Sequence, residues 1–115
     1  MKFRAGNYGI EDLAYVLYAK VNRDFDFFEL ELLGSSAETL IRRAYEITVK
    51  SYILAIFETN NSLTAEEIME LLKLDDTLDA CYKAIESANV ICPTKYKEVI
   101  KAYADYLINK SAEAE

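Results

Sequence analysis

Apolar and polar residues alternate in two short stretches of the N-terminal half, and this alternation predicts two strands. Residues 1–5 place apolar side chains at every second position between basic ones, which is the pattern of a half-buried strand. Phe28, Leu30 and Leu32 alternate with glutamates before Gly34. They predict a second strand of the same kind.

Two stretches between and after these strands have apolar residues at every third or fourth position, which predicts amphipathic helices. The first helix is predicted over about 9–22. The second begins at an S-x-x-E capping box formed by Ser35 and Glu38 and continues to about Glu58. Its run 52–57 is apolar around most of the helix and has to be covered on more than one side, so we expect a second subunit to cover it.

Three further helices are predicted in the C-terminal half, each with a recognisable first residue. Thr64 and Glu67 form a second capping box at the start of the third helix. Asp75 or Asp76 is expected to cap the fourth. Pro93 opens the last helix, because proline is favoured in the first turn.

Together the elements predict an α+β fold that is predominantly helical, with an N-terminal β-α-β-α unit followed by three helices. The chain has 115 residues, of which 52% are hydrophobic, and this suits one compact domain. We expect that domain over 1–110, with 111–115 as a disordered acidic tail. The longest apolar run, 52–57, is far shorter than a membrane span, so a cytoplasmic protein without a membrane partner is expected.

The absence of histidine excludes more functions than any motif suggests. Histidine is the commonest general base near neutral pH and the commonest metal ligand, so serine triads, Cys–His dyads and ordinary zinc sites are excluded. The three glycines form no phosphate-binding loop, and Cys81 and Cys92 are expected to be reduced core residues. We predict no catalytic residue, metal or cofactor, although an active site built only from carboxylates, tyrosine or arginine stays open.

Charge is distributed unevenly along the chain, whose net charge is −7. Residues 58–91 contain eight acidic residues and two lysines, a net charge of −6, whereas residues 1–57 contain eight acidic and seven basic residues. In the near-neutral half, the adjacent Arg42 and Arg43 point about 100° apart on a helix, so at least one is expected in solvent. They either pair with glutamates at helical spacing, or bind a phosphate, a nucleic acid or an acidic neighbouring subunit.

Nine tyrosines are more than one small core can bury with every hydroxyl paired. Tyrosine is enriched at interfaces because it buries a large rigid area and keeps a polar contact. We therefore expect some tyrosines on a binding surface, beside the arginines and the apolar run 52–57. The candidate binding residues are Arg4, Arg42, Arg43, Tyr45, Tyr52 and Phe57.

The first half of the chain, with MKFRAG, EDLAYVLYAKVNRD and FELELLGSSAETLIRRAYEI, resembles the first half of the Alba family and of the related stage V sporulation protein S. These are small α/β folds that bind nucleic acid. The order strand, helix, strand, glycine, helix over 1–58 carries the resemblance, which implies nucleic-acid binding through Arg4, Arg42 and Arg43. The loop after the first strand lacks the basic residue of that family, and the second half here is helical.

Residues 62–91, SLTAEEIMELLKLDDTLDACYKAIESANVI, resemble the helix-turn-helix core of winged-helix regulators. A helix that enters a DNA groove has to neutralise phosphates, whereas this acidic segment would repel them. A protein-binding or purely structural helical hairpin is the better interpretation.

These observations favour a non-catalytic binding, adaptor or inhibitor protein, with a regulatory role exerted through a protein–protein interface. An acidic mimic of nucleic acid belongs to this class. We expect a homo-oligomer, another protein as partner, or both. The alternatives are an Alba-like protein associated with nucleic acid, which is less favoured, and a protein that binds a small ligand between subunits.

Overall fold

The computed structural model describes residues 9–59 and 63–114, and within these ranges it contains six α-helices, one 3-10 turn and no strand. The helices are α1 (Ile10–Leu33), α2 (Ala37–Arg42), α3 (Ala44–Glu58), α4 (Ala65–Leu72), α5 (Thr77–Ala88) and α6 (Tyr96–Ala114). The 3-10 turn, Pro93–Lys95, leads directly into α6. No helix in the described ranges is long and apolar enough to cross a membrane.

The predicted α+β class with its β-α-β-α unit is wrong, because the second predicted strand is the last part of α1. No glycine or proline interrupts the chain from Ile10 to Leu33, so nothing stops the first helix near residue 22. Phe28 is buried, whereas Leu30 is 62% exposed; the two residues lie on opposite sides of a helix. The first predicted strand, residues 1–5, lies outside the described residues.

Helix α1 is the element against which the others pack. It contacts α3, α4 and α5, and α6 packs against α4 and α5 on the far side of the core. The buried residues of α1 follow one another at helical spacing and face this core. They are Leu13, Leu17, Val21, Asp24 and Phe28.

The apolar run 52–57 is covered largely within the chain. Ile53 and Phe57 are 0% and 2% exposed and belong to the core, because α3 packs against both α1 and α5. Tyr52 remains half exposed. A second subunit is therefore not needed to bury this face of α3.

The predicted second helix is divided at Arg43 into α2 and α3. Arg43 has φ −94° and ψ 7°, and its backbone N–H donates to the Thr39 carbonyl. The capping residue of α2 is Ser36, one position after the predicted Ser35, and its side chain accepts from the Thr39 N–H. The Ser35 hydroxyl donates instead to the Glu31 carbonyl at the end of α1.

The capping box at the start of α4 is confirmed. The Glu67 N–H donates to Thr64 Oγ1 at 3.2 Å, and the Thr64 N–H donates to Glu67 Oε1 at 2.8 Å. Helix α5 begins in the predicted way as well, with Asp76 as its capping residue.

Glu67 also joins α4 to α6. Lys101 Nζ donates to both of its carboxylate oxygens, at 2.9 and 2.8 Å, and the Glu67 side chain is 2% exposed. Burial raises the pKa of Glu67, but hydrogen bonds with Asp105, Lys101 and the Thr64 N–H outweigh it and hold the pKa at about 2. The carboxylate is therefore charged at neutral pH.

Helix α6 extends to Ala114, into the segment for which the sequence predicts an acidic tail. The Ser111 hydroxyl donates to Glu70 Oε1 at 2.8 Å, which places the end of α6 beside α4.

Replacing Thr64 by alanine is expected to lower the free energy of unfolding by about 0.5–2 kcal/mol, because α4 loses its cap. Ser36→Ala is the matched control. Ser36 also caps a helix with its side chain, but α2 has no buried residue, so global unfolding should hardly change. Urea denaturation of both variants measures the difference, and equal losses would show that α2 belongs to the cooperative core.

Candidate protein-binding surface

Residues 29–48 form a helical hairpin, and none of these 20 residues is buried. The hairpin consists of the end of α1, all of α2 and the beginning of α3; we call it the apolar hairpin. Five of its large apolar side chains are exposed to solvent. Their exposed fractions are 62% for Leu30, 81% for Leu33, 36% for Leu40, 76% for Ile41 and 50% for Tyr45.

The exposed residues of α1 lie on the side opposite its core face. Leu30 and Leu33 are helical neighbours of each other, and Phe27, 64% exposed, precedes them at the same spacing. Leu33 and Leu40 line one groove of about 320 Å³ between the end of α1 and α2. Leu33 of α1 and Leu40 of α2 therefore belong to one apolar surface.

A charged cleft lies at the base of the apolar hairpin, between α1, α3 and α5. Its volume is about 300 Å³, and its walls are mostly charged groups. The cations are Arg43 and Lys50, and the carboxylates are Asp24, Glu31, Glu46, Asp76 and Asp79. Because carboxylates outnumber cations, the cleft is poorly suited to bind a phosphate or another anion.

Arg43 lies between α2 and α3 and pairs with one carboxylate on α1 and one on α3. Its Nη1 lies 2.6 Å from Glu31 Oε1 on α1, and its Nε lies 2.9 Å from Glu46 Oε1 on α3. The guanidinium also lies over the ring of Phe28, 5.1 Å from the centroid. Hydrogen bonds to Glu46 and then Glu31 raise the pKa of Arg43 above its ordinary value, so this cation holds α1 against α3 at any physiological pH.

Lys50 is a buried cation, 4% exposed, and its charge is compensated by groups from three helices. Its Nζ lies 2.8 Å from Glu46 Oε2 and 3.3 Å from Asp79 Oδ1. It also lies 4.0 Å from the centroid of the Phe28 ring and 5.6 Å from that of Tyr82, close enough for cation–π attraction. These contacts join α1, α3 and α5 at one point.

Glu46 is the carboxylate that Arg43 and Lys50 share. Burial raises the pKa of Glu46, but the hydrogen bonds from Arg43 and Lys50 lower it by more, so the pKa lies below its ordinary value. We call the cluster of Glu31, Arg43, Glu46, Lys50 and Asp79 the ionic clasp. It fixes the orientation of the apolar hairpin relative to the core.

The two predicted arginines have different environments. Arg43 is a member of the ionic clasp, and its pairing with Glu46 confirms the expectation of a glutamate partner at helical spacing. Arg42 is exposed, as expected for at least one of the pair, and donates to Thr39 Oγ1 at 3.3 Å. Arg4 lies outside the described residues.

The predicted aromatic residues also separate into two groups. Tyr45 and Tyr52 are 50% and 47% exposed. Their rings pack beside Tyr82 and Tyr96, with centroids 6.2 and 6.1 Å apart. Phe57 lies in the core, where a partner cannot reach it without unfolding the chain.

The main residues of this surface were not among the predicted ones. Leu30 lies in the predicted second strand, Phe27 and Leu33 lie at its ends, and Ile41 lies in the predicted second helix. The sequence does contain a signal for this surface if residues 10–33 are treated as one helix. Residues 27, 30 and 33 then form an apolar face that is separate from the core face at 17, 21 and 28.

The described ranges contain no cluster of three or more acidic or cysteine side chains that could hold a metal ion. Cys81 is a free thiol in the core, as expected. Cys92 was expected there too, but it is exposed, because it precedes the 3-10 turn on the chain surface.

Replacing Lys50 by methionine is expected to lower the free energy of unfolding by about 1–3 kcal/mol at pH 7, because Glu46 and Asp79 lose a buried donor. The folded-state pKa of Glu46 is lowered from its ordinary value of 4.5, so its stabilising effect is present above that pH and is lost in acid. The difference between the two proteins should therefore shrink below about pH 4. Urea denaturation at several pH values measures it.

Lys83→Met is the matched control for Lys50→Met. Lys83 also pairs with Asp79, at 3.0 Å, but its side chain is 71% exposed. Its loss should change the free energy of unfolding by less than about 1 kcal/mol. Equal effects of the two replacements would contradict a structural role for the ionic clasp.

Comparison with known proteins leaves the site to be interpreted from its own geometry. No family model, no curated protein and no solved structure matches this chain.

Proposed function

We propose that this chain is a non-catalytic protein-binding protein that contacts its partner through the apolar hairpin. The observation that carries the proposal is the run of 20 residues, 29–48, in which no residue is buried and five large apolar side chains are exposed to solvent. Soluble monomers rarely expose an apolar patch of more than a few hundred Å². Each large apolar side chain gains about 1.5–3 kcal/mol when it is fully buried, and a partner would supply that burial.

The ionic clasp supports a binding role rather than a catalytic one. Arg43, Lys50, Glu46 and Asp79 make their hydrogen bonds with one another, so they stabilise the fold. A surface that is held in one orientation before binding loses less conformational entropy when the partner arrives. The ionic clasp thus presents the apolar hairpin in a form that suits an adaptor or an inhibitor.

Self-association is the first arrangement to test, because it needs only the chain itself. The two free cysteines suit a reducing, cytoplasmic setting. A regulatory protein of this kind would act by occupying the binding surface of a partner or by joining two partners.

Photo-crosslinking tests the proposed surface. A benzophenone amino acid in place of Ile41, 76% exposed on the apolar hairpin, should give covalent adducts with protein, either a second copy or another component of the cytoplasm. The same residue in place of Ile91 is the control, because Ile91 is 88% exposed but lies in the segment before α6. Adducts in equal yield from both positions, or from neither, would contradict a contact surface at the hairpin.

Nucleic-acid binding remains the alternative, and the described residues give it little support. Arg43 is engaged by Glu31 and Glu46, so Arg42 is the member of the predicted basic pair that faces solvent. The hairpin 29–48 itself contains four glutamates and two arginines. Phosphate binding needs a surplus of positive charge, which this surface does not provide.

We expect no appreciable binding of double-stranded DNA at physiological salt. A gel-shift titration over a range of salt concentrations measures it, because phosphate contacts weaken steeply as salt rises. Arg42→Glu is the useful variant, since Arg43→Glu would also break the ionic clasp. A micromolar, salt-sensitive complex that disappears in Arg42→Glu would favour the Alba-like alternative.

A further inference from the structure

We infer that the occupant of the apolar hairpin is a second copy of this chain, which docks hairpin against hairpin about a two-fold axis. The inference rests on the proposed function, because it names the partner of the same surface. In such an interface the same patch is used by both subunits, and every contact occurs twice.

The size of the surface suits a dimer. The five exposed residues of the hairpin are between 36% and 81% exposed, and together they present on the order of 500 Å², if a large side chain has about 150–200 Å² of surface. A standard stable interface buries about 800 Å² per partner. With the polar residues around its edge, the apolar hairpin reaches that size.

The distribution of charge allows two copies to approach by this surface. Of the four glutamates in 29–48, Glu31 and Glu46 are paired with Arg43, which leaves Glu29, Glu38 and Arg42 as the exposed charges outside these pairs. The acidic excess of the chain lies instead in 58–91, with a net charge of −6. Charges separated by more than about 8 Å of solvent are largely screened at physiological salt, so docking at the hairpin avoids most of the repulsion between two acidic chains.

The exposed charges are also complementary to their own copy. Arg42 lies on α2, and Glu29 and Glu38 lie on the same hairpin. A two-fold axis that passes between Arg42 and these glutamates brings Arg42 of one copy towards the glutamates of the other, and the same pair then forms on the other side of the axis. The pairing therefore places opposite charges at the rim of an apolar contact.

Sedimentation equilibrium over a wide concentration range tests the dimer. We expect the wild-type chain to reach twice its mass of 13.1 kDa. Ile41→Ser should weaken the dimer by at least about tenfold, because the contact loses a buried side chain. Ile91→Ser, the control outside the hairpin, should leave the dimer unchanged. Circular dichroism checks that each variant is folded. If Ile41→Ser is unfolded, Leu33→Ser is used in its place.

A charge exchange tests the two-fold arrangement. Arg42→Glu alone and the double variant Glu29→Arg/Glu38→Arg should each form weaker dimers, because like charges then face each other. An equimolar mixture of the two should regain wild-type affinity, since opposite charges meet again at both sites. Arg23→Glu, an exposed charge on α1 outside the hairpin, is the control and should have no such effect.

The outcomes separate this inference from the proposed function. A 13.1 kDa monomer at high micromolar concentration, together with adducts at position 41, would overturn the second copy and leave protein binding by the hairpin standing. A monomer with no adducts at position 41 would overturn both the dimer and protein binding by the hairpin. A dimer that is indifferent to Ile41→Ser and to the charge exchange would place the interface elsewhere and would overturn docking of two hairpins, while the adducts at position 41 would still decide whether the hairpin binds protein.

Discussion

The length of α1 relative to the core is the constraint from which the other features follow. At about 1.5 Å per residue its 24 residues extend about 36 Å, yet its buried residues end at Phe28. The last five residues therefore extend about 7–8 Å beyond the core, and the chain has to return from that point through α2. Helix α2 has no core to pack against, so its apolar residues stay in solvent.

A buried cation at the base of the hairpin makes this extension rigid. Lys50 is a costly group to bury, and it is retained with two carboxylates and two aromatic rings around it. The pair with Glu46 lies within α3 and orients the Lys50 side chain. The pair with Asp79 then links α3 to α5, because it requires the two helices to hold donor and acceptor in register.

Local signals in the sequence predicted the helices of the second half, because caps act within a few residues. The capping box of Thr64 and Glu67 is predicted correctly, and Asp76 is one of the two residues expected to cap α5. The first half was misread where two patterns coincide: Phe28 and Leu30 alternate with glutamates as in a strand, although they lie on opposite sides of α1. Arg43 carries no local signal for a break in a helix, because no glycine or proline lies between Ser36 and Lys50, and its contact with Glu31, twelve residues away, is not contained in local propensity.

The absence of buried residues from 29–48 has a consequence for how this sequence can evolve. Substitutions in a core are limited by packing, because a change of even one methylene is felt there. Substitutions at Leu30, Leu33 or Ile41 escape that limit, because these side chains lie in solvent. The helices of the core can therefore keep one architecture while the surface of the hairpin changes, so that surface and core can diverge independently within a single small chain.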